Sequence, residues 1–209
     1  MKPIVAITQG SQGIQLIRKL FELGYKPEQI LVFTEGEVKN QCFIEFIIYY
    51  KIEFLFKINY QLIKDNALII SYSNSHKINT NQNFTFINFH PGLLPKYRGS
   101  LSTVHSMVNN EKVVGGTWHY MTDKIDHGNI LNQFTINIKK DDTAFSLNHK
   151  IFNKSINHLS EVLHLVEIGN KGYIQNYNEG KFYYNKFPNI TRLSTELQEK
   201  INYFPPKFK

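Results

Sequence analysis

An apolar run, a glycine turn and a periodic helix follow one another at the start of the chain, and this succession restricts the fold more than any other feature. Pro3 to Thr8 (PIVAIT) reads as a buried strand, Gly10 and Gly13 make the turn, and Ile14, Ile17, Leu20, Phe21 and Leu23 recur at helical spacing before Gly24. A strand that enters a helix through a glycine turn opens a Rossmann-like α/β sheet. The turn is Gly-x-x-Gly and lacks the full Gly-x-Gly-x-x-Gly, so it does not point to a nicotinamide dinucleotide. A helix N-terminus of this kind can still hold a phosphate, and the same glycines can equally serve a tight turn alone.

The rest of the chain continues the alternation. Ile30 to Thr34 predicts a second strand, Val38 to Tyr50 a helix apolar around much of its circumference and hence well buried, and Ala67 to Tyr72 a further strand. Lys51 to Ile58 is ambiguous, and Ser73 to Thr80 is a polar loop. Ser100 is placed to cap a short helix through Val108. Val113 to Met121 and Asn129 to Ile138 alternate as strands around the polar loop Thr122 to Gly128, and Thr143 to Ile168 carries the pattern of one long amphipathic helix. Beyond Gly169 the composition changes. Gly172, Tyr173, Tyr177, Gly180, Tyr183 and Tyr184 read as a small hairpin, and Leu193 to Phe204 as a helix before Pro205-Pro206. We therefore expect one α/β domain over residues 1–168, mostly parallel in its sheet, and a C-terminal extension over 169–209 packed on it.

Chemistry concentrates in Phe84 to Gly99. A strand rich in aromatic and β-branched residues ends with Asn88 and His90 two residues apart, hence on one face, and Pro91-Gly92 then opens a loop. Open α/β sheets place their sites at such strand ends. With Asp126 from the later polar loop these make a proton-handling set: an imidazole that titrates near neutrality, a carboxylate that raises its pKa, and an amide N–H that can donate to an oxygen becoming negative. Those are the parts for acyl transfer. Gly-x-Ser-x-Gly is absent and Cys42 lies in an apolar helix, so direct attack by a substrate amine fits better than a covalent intermediate. His90, His105, His119, His127, Asp123 and Asp126 share one segment, but their spacing matches no compact zinc pattern, and no metal is expected.

The net charge of +7 suits an anionic partner. Lys and Arg are spread without a block of like charge, which favours an anionic small molecule over nucleic acid. Cys42 is the only cysteine and reads as a buried apolar residue, so no internal disulfide can form and a reducing compartment is expected. With no signal-like leader and no run of about 20 apolar residues, the expectation is a cytoplasmic protein without a membrane segment. An apolar tail and an exposed sheet edge suggest a homodimer.

The sequence His90-Pro91-Gly92-Leu93-Leu94-Pro95-Lys96-Tyr97-Arg98-Gly99, with Asn88 before it and Ile125-Asp126-His127-Gly128-Asn129-Ile130-Leu131 downstream, resembles the formyltransferases that use 10-formyltetrahydrofolate. It departs from the family pattern at Gly92, where Ser is common, and at His127, where Thr is common, without losing any of the three polar residues. The resemblance implies that Asn88, His90 and Asp126 hold the formyl group and manage protons, and that the folate lies against Phe86 and the loop bearing Met121, Asp123 and Ile125. The motif Lys96 to Gly99, the stretch Gly115 to Tyr120, and the tail Tyr183 to Pro188 with Phe204-Pro205-Pro206 resemble sugar N-formyltransferases most. On that likeness the acceptor is a nucleotide-linked amino sugar, nearest to dTDP-4-amino-4,6-dideoxyglucose. Lys96, Tyr97, Arg98 and Tyr184 are its expected contacts: a cation toward the pyrophosphate and a tail tyrosine on the base. The alternative acceptor is glycinamide ribonucleotide, whose phosphate would use the Gly10 to Gly13 turn. A methionyl-tRNA acceptor is disfavoured because about forty residues after Gly169 leave no room for a tRNA domain.

Overall fold

In the computed structural model, residues 1–34, 40–74, 78–184 and 186–202 are described. A seven-stranded sheet runs in the order β3-β2-β1-β4-β5-β7-β8. Its strands are β1 (Ile4–Thr8), β2 (Ile30–Phe33), β3 (Glu53–Leu55), β4 (Leu68–Tyr72), β5 (Thr85–His90), β7 (Val113–Tyr120) and β8 (Ile130–Asn137). The first five in that order pair in parallel, whereas β7 and β8 add antiparallel, so the sheet is mostly parallel as its sequence pattern predicts. Parallel strands buried on both faces need continuous apolar runs, and all five residues of β1 and of β4 are buried.

Helices α1 (Gly10–Glu22), α2 (Gln41–Tyr49), α4 (Ala144–Asn157) and α5 (Leu159–Glu167) accompany the sheet. One face carries the larger core, centred on Tyr72, Phe89, Trp118 and Phe152; the other carries a smaller core with Val5, Ile7, Phe33, Ile69 and Phe86. At the opening turn Gly10 takes φ +61°, and a side chain at Gly13 would strike the Phe43 ring, so this glycine lets α1 and α2 approach closely. Among the described residues no helix is long and apolar enough to cross a membrane.

Several expectations are corrected. Helix α2 is not well buried: only Phe43 and Ile47 are fully buried, Phe46 packs against the core in part, Ile48 and Tyr49 face solvent, and Cys42 is exposed. Apolar residues on most of a helix's circumference do not ensure cover when the neighbouring β3 lies at the sheet edge. The long helix is two, α4 and α5, meeting at His158, whose N–H bonds to the Ser155 carbonyl. The Trp118 indole N–H donates to that same carbonyl, and the His158 ring stacks on Phe134, which together turn the chain there. Leu101, not Ser100, precedes α3 (Ser102–Val108), with φ +58°.

Among the described residues the tail forms no hairpin. Its strand β9 (Lys181–Tyr183) pairs in parallel with β6 (Tyr97–Gly99), far away in sequence. Tyrosine alternation announces a strand but not its partner, and here the partner is the loop that follows His90. The last helix, α6 (Thr195–Asn202), packs its Ile201 into the larger core, while Phe204-Pro205-Pro206 and Asn185 lie outside the described residues.

Candidate active site

The sheet's pleat and one antiparallel register assemble the site. Phe86, Asn88 and His90 share a face of β5, and the β5–β7 register places His119 directly opposite Asn88. The Asn88 amide nitrogen lies 3.1 Å from His119 Nε2. His119 Nδ1 is 2.7 Å from the Tyr120 carbonyl, which only accepts, so the proton sits on Nδ1 and Nε2 is free to accept from Asn88 when the ring is neutral.

Asp126 closes the cluster from the β7–β8 loop. Its Oδ2 accepts from the Gly99 N–H at 2.7 Å and stands 3.4 Å from His90 Nδ1, and its Oδ1 stands 3.6 Å from His119 Nε2. His90, His119 and Asp126 are all buried, whereas Asn88 is half-buried and is the member nearest solvent. His90 Nε2 donates to the Tyr97 carbonyl at 2.6 Å and has the Ser102 hydroxyl at 3.2 Å. Both ring nitrogens of His90 thus face acceptors.

Burial is the leading influence on His90 and pulls its imidazolium below the ordinary range; the Asp126 charge and the Tyr97 carbonyl offset this in part, and His119 adds to it. Burial alone would raise the Asp126 carboxyl, but the charges and hydrogen bonds of His90, His119 and the Gly99 N–H outweigh it and hold the group well below the usual carboxylate range. The two form one titrating unit: burial works against a charged His90, while the Asp126 charge and a His90 proton each favour the other.

A cavity of about 780 Å³ is lined by Phe86, Tyr120 and His127, neighbours in sequence of the cluster, although none of Asn88, His90, His119 and Asp126 lines it. Phe84, Phe86 and Met121 give it an apolar wall, and Asp123 and Thr122 add polar groups. Ile125 does not line it and is half exposed. The expected nucleotide contacts are dispersed. Lys96 is half exposed and pairs with Glu111 at 2.6 Å. The Tyr97 side chain is buried, its hydroxyl on Glu111, so this residue joins the site through its carbonyl. Arg98 is buried and donates to His127 Nε2 and to the Tyr177 and Gly180 carbonyls. Tyr184 is exposed, with its ring against Phe182. Among the described residues no group of three or more His, Cys, Asp or Glu is arranged to hold a metal ion.

His119, the Tyr97 carbonyl, the Gly99 N–H and Ser102 were not anticipated as parts of the site. A signal for His119 existed, since Thr117, His119 and Met121 alternate on one face of their strand. The backbone groups left no signal, because every residue carries them.

A mostly parallel sheet carries an amide, two imidazoles and a carboxylate gathered at the end of β5, and residues 75–163 match the model of the formyl transferase family. The relatives that the chain matches include sugar N-formyltransferases and methionyl-tRNA formyltransferases. The chain is 36% identical over 102 residues to the GDP-perosamine N-formyltransferase of Brucella melitensis, a match covering 49% of this chain and 39% of that protein. It thus spans about two fifths of the length of the curated relatives it matches first. Among solved structures, an N-formyltransferase from Helicobacter canadensis, in complex with folinic acid and dTDP-3-aminofucose, superposes with a TM-score of 0.78 at 19% identity, covering 92% of this chain and 74% of that one. A 4-N formyltransferase from Francisella tularensis gives 0.78 at 21% identity over 98% and 89%. At such identities these superpositions establish the fold.

Proposed function

We propose that this chain transfers a formyl group from 10-formyltetrahydrofolate to the amine of a nucleotide-linked amino sugar. The observation that carries this reading is the cluster of Asn88, His119, His90 and Asp126 on the same sheet face as Phe86, which lines the cavity. The cavity suits the donor: Phe84, Phe86 and Met121 offer a wall to a flat ring, Asp123 and Thr122 offer polar partners, and the volume of about 780 Å³ falls in the range of small-molecule sites. When bound, the donor supplies an activated formyl carbon.

The chain's own residues then have distinct tasks. Asn88 keeps one amide N–H on His119, and its second, without a partner among the described residues, can donate to the formyl oxygen as that oxygen becomes negative. His90 Nδ1 faces Asp126 Oδ2 and can hold the proton that the attacking amine gives up, while the Tyr97 carbonyl keeps the other ring proton fixed. The ionised Asp126 stabilises the imidazolium so formed.

In the finer reading the acceptor is dTDP-4-amino-4,6-dideoxyglucose, made for surface polysaccharide in the cytoplasm, with Lys96 toward the pyrophosphate and Tyr184 on the base. The glycinamide ribonucleotide alternative draws little support from the opening turn, whose first amide, that of Gly10, already donates to Asn40 Oδ1 at 2.8 Å. A homodimer belongs to the same proposal, motivated by the exposed Ile48 and Tyr49 beside the edge strand β3. Sedimentation showing only monomer at assay concentration removes it. Incubation with 10-formyltetrahydrofolate and a panel of amino-sugar nucleotides should release tetrahydrofolate with one of them. No release with any acceptor would overturn the enzyme reading, and release with glycinamide ribonucleotide alone would transfer it to purine chemistry.

A further inference from the structure

The segment that bears Asp126 is held from outside by the tail. Asp126 itself takes φ +58°, a left-handed conformation that residues other than glycine adopt uncommonly. Two residues on, Gly128 lies so close to β7 that a Cβ would collide with the Tyr120 carbonyl. Three consecutive carbonyls of this turn each accept a hydrogen bond from the tail. The Gln175 side-chain nitrogen donates to the Asp126 carbonyl at 3.0 Å and to the Gly128 carbonyl at 2.6 Å, and the Tyr177 hydroxyl donates to the His127 carbonyl at 2.5 Å. Gln175 is almost fully buried, 4% exposed, although its neighbours Ile174 and Tyr173 face solvent. Both of its partners are acceptors, so its amide can point only one way.

Buried glutamines are uncommon, and this one fills no gap in the apolar core: it serves backbone groups that would otherwise lack donors. We propose that Gln175 is a positioning residue, which with Tyr177 clamps residues 126–128 so that the Asp126 carboxylate stands between His90, His119 and the Gly99 N–H. Its role as a positioning residue for formyl transfer rests on the function proposed above; the clamp itself does not. The tail acts here twice. β9 also pairs with β6, whose Tyr97 carbonyl and Gly99 N–H hold His90 and Asp126, so both halves of the proton unit depend on Gln175, Tyr177 and the backbone of β9.

The test compares Gln175→Met, which keeps the length of the side chain and removes its donors, with Tyr183→Phe, which keeps the ring in β9 and removes only the hydroxyl that accepts from Asn109. Tyr177→Phe, which deletes the His127 contact alone, is a milder variant expected to move the same readouts less. With the acceptor found in the panel, Gln175→Met should lower kcat about tenfold or more, because displacing a charged group misaligns the reaction, and raise KM for the folate by less than that, because His127 and Gly128 of the clamped turn line the cavity. Tyr183→Phe should match the parent. The second readout needs no substrate: the ring signals of His90 in an isotope-labelled sample, identified by their loss in His90→Asn, should shift in Gln175→Met and stay in place in Tyr183→Phe. Unchanged His90 signals together with parent-like kcat would overturn the proposal. If no acceptor were turned over at all, the His90 signals would decide alone, a shift supporting the clamp and its absence refuting it.

Discussion

Replacing Asp126 by Asn separates charge from shape at the centre of the site. The amide oxygen can still accept from the Gly99 N–H, which now bonds Oδ2 at 2.7 Å, so the loop keeps its anchor. What disappears is a negative charge 3.4 Å from His90 Nδ1. At an effective dielectric constant near 20, two unit charges at that separation attract by roughly 5 kcal/mol. That figure applies only while His90 carries the extra proton, whose charge burial opposes. The lost stabilisation therefore falls on the step in which the amine's proton reaches Nδ1. If about half of it is expressed there, turnover falls by roughly a hundredfold, equivalent to about 2.7 kcal/mol. Steady-state assays at neutral pH should show kcat for Asp126→Asn lower by about two or more orders of magnitude, with KM for both substrates within about threefold of the parent. Near-parental turnover would refute the role given to the carboxylate, as would a loss confined to KM.

Phe86→Leu should raise KM for the folate about three- to tenfold with little effect on kcat, since it removes an aromatic surface worth about 0.5–1.5 kcal/mol from the cavity wall; an unchanged KM would place the donor elsewhere. Gly99→Ala should destabilise the fold by about 2 kcal/mol or more in denaturant titrations, because φ is +88° there and a Cβ would meet the Tyr183 carbonyl; parental stability would mean that the β6–β9 pairing yields easily. Stability should also fall with pH in two stages. Because His90 has a lowered folded pKa, the unfolded chain takes up its proton first as pH drops below about 6.5, and because Asp126 has a lowered carboxyl pKa, a second loss sets in below about 4. Denaturation at successive pH values should show both, with His90→Asn reducing the upper stage, to which the buried His105 also contributes; a stability that is flat between pH 7 and 5 would contradict the lowered pKa of these imidazoles.

Much of the fold was legible because parallel strands must be apolar on both faces and helices on one, and the chain keeps those periods from Ile4 to Val166. The failures share a cause. Whether Ile48 and Tyr49 are covered, where Thr143 to Ile168 breaks, and what Tyr183 pairs with are all decided outside the element itself: by the edge position of β3, the Trp118 indole, and the loop after His90. Periodicity reports a residue's own element and says nothing about its neighbour.

The same distinction runs through the site. Asn88 and His90 were legible because two polar residues at i and i+2 stand out on a strand otherwise built for burial. Their functional difference was not, because it comes from backbone. The Tyr97 carbonyl occupies His90 Nε2 and leaves Nδ1, beside Asp126, as the nitrogen that can change its proton, while Asn88, half-buried and opposite His119, is the member that under the proposed function meets the substrate. Exchanging Tyr97 for another residue would leave that carbonyl in place. Displacing β6 would not, and β6 is held by the tail strand β9, so the assignment of the proton to one ring nitrogen depends on a pairing made some eighty residues later.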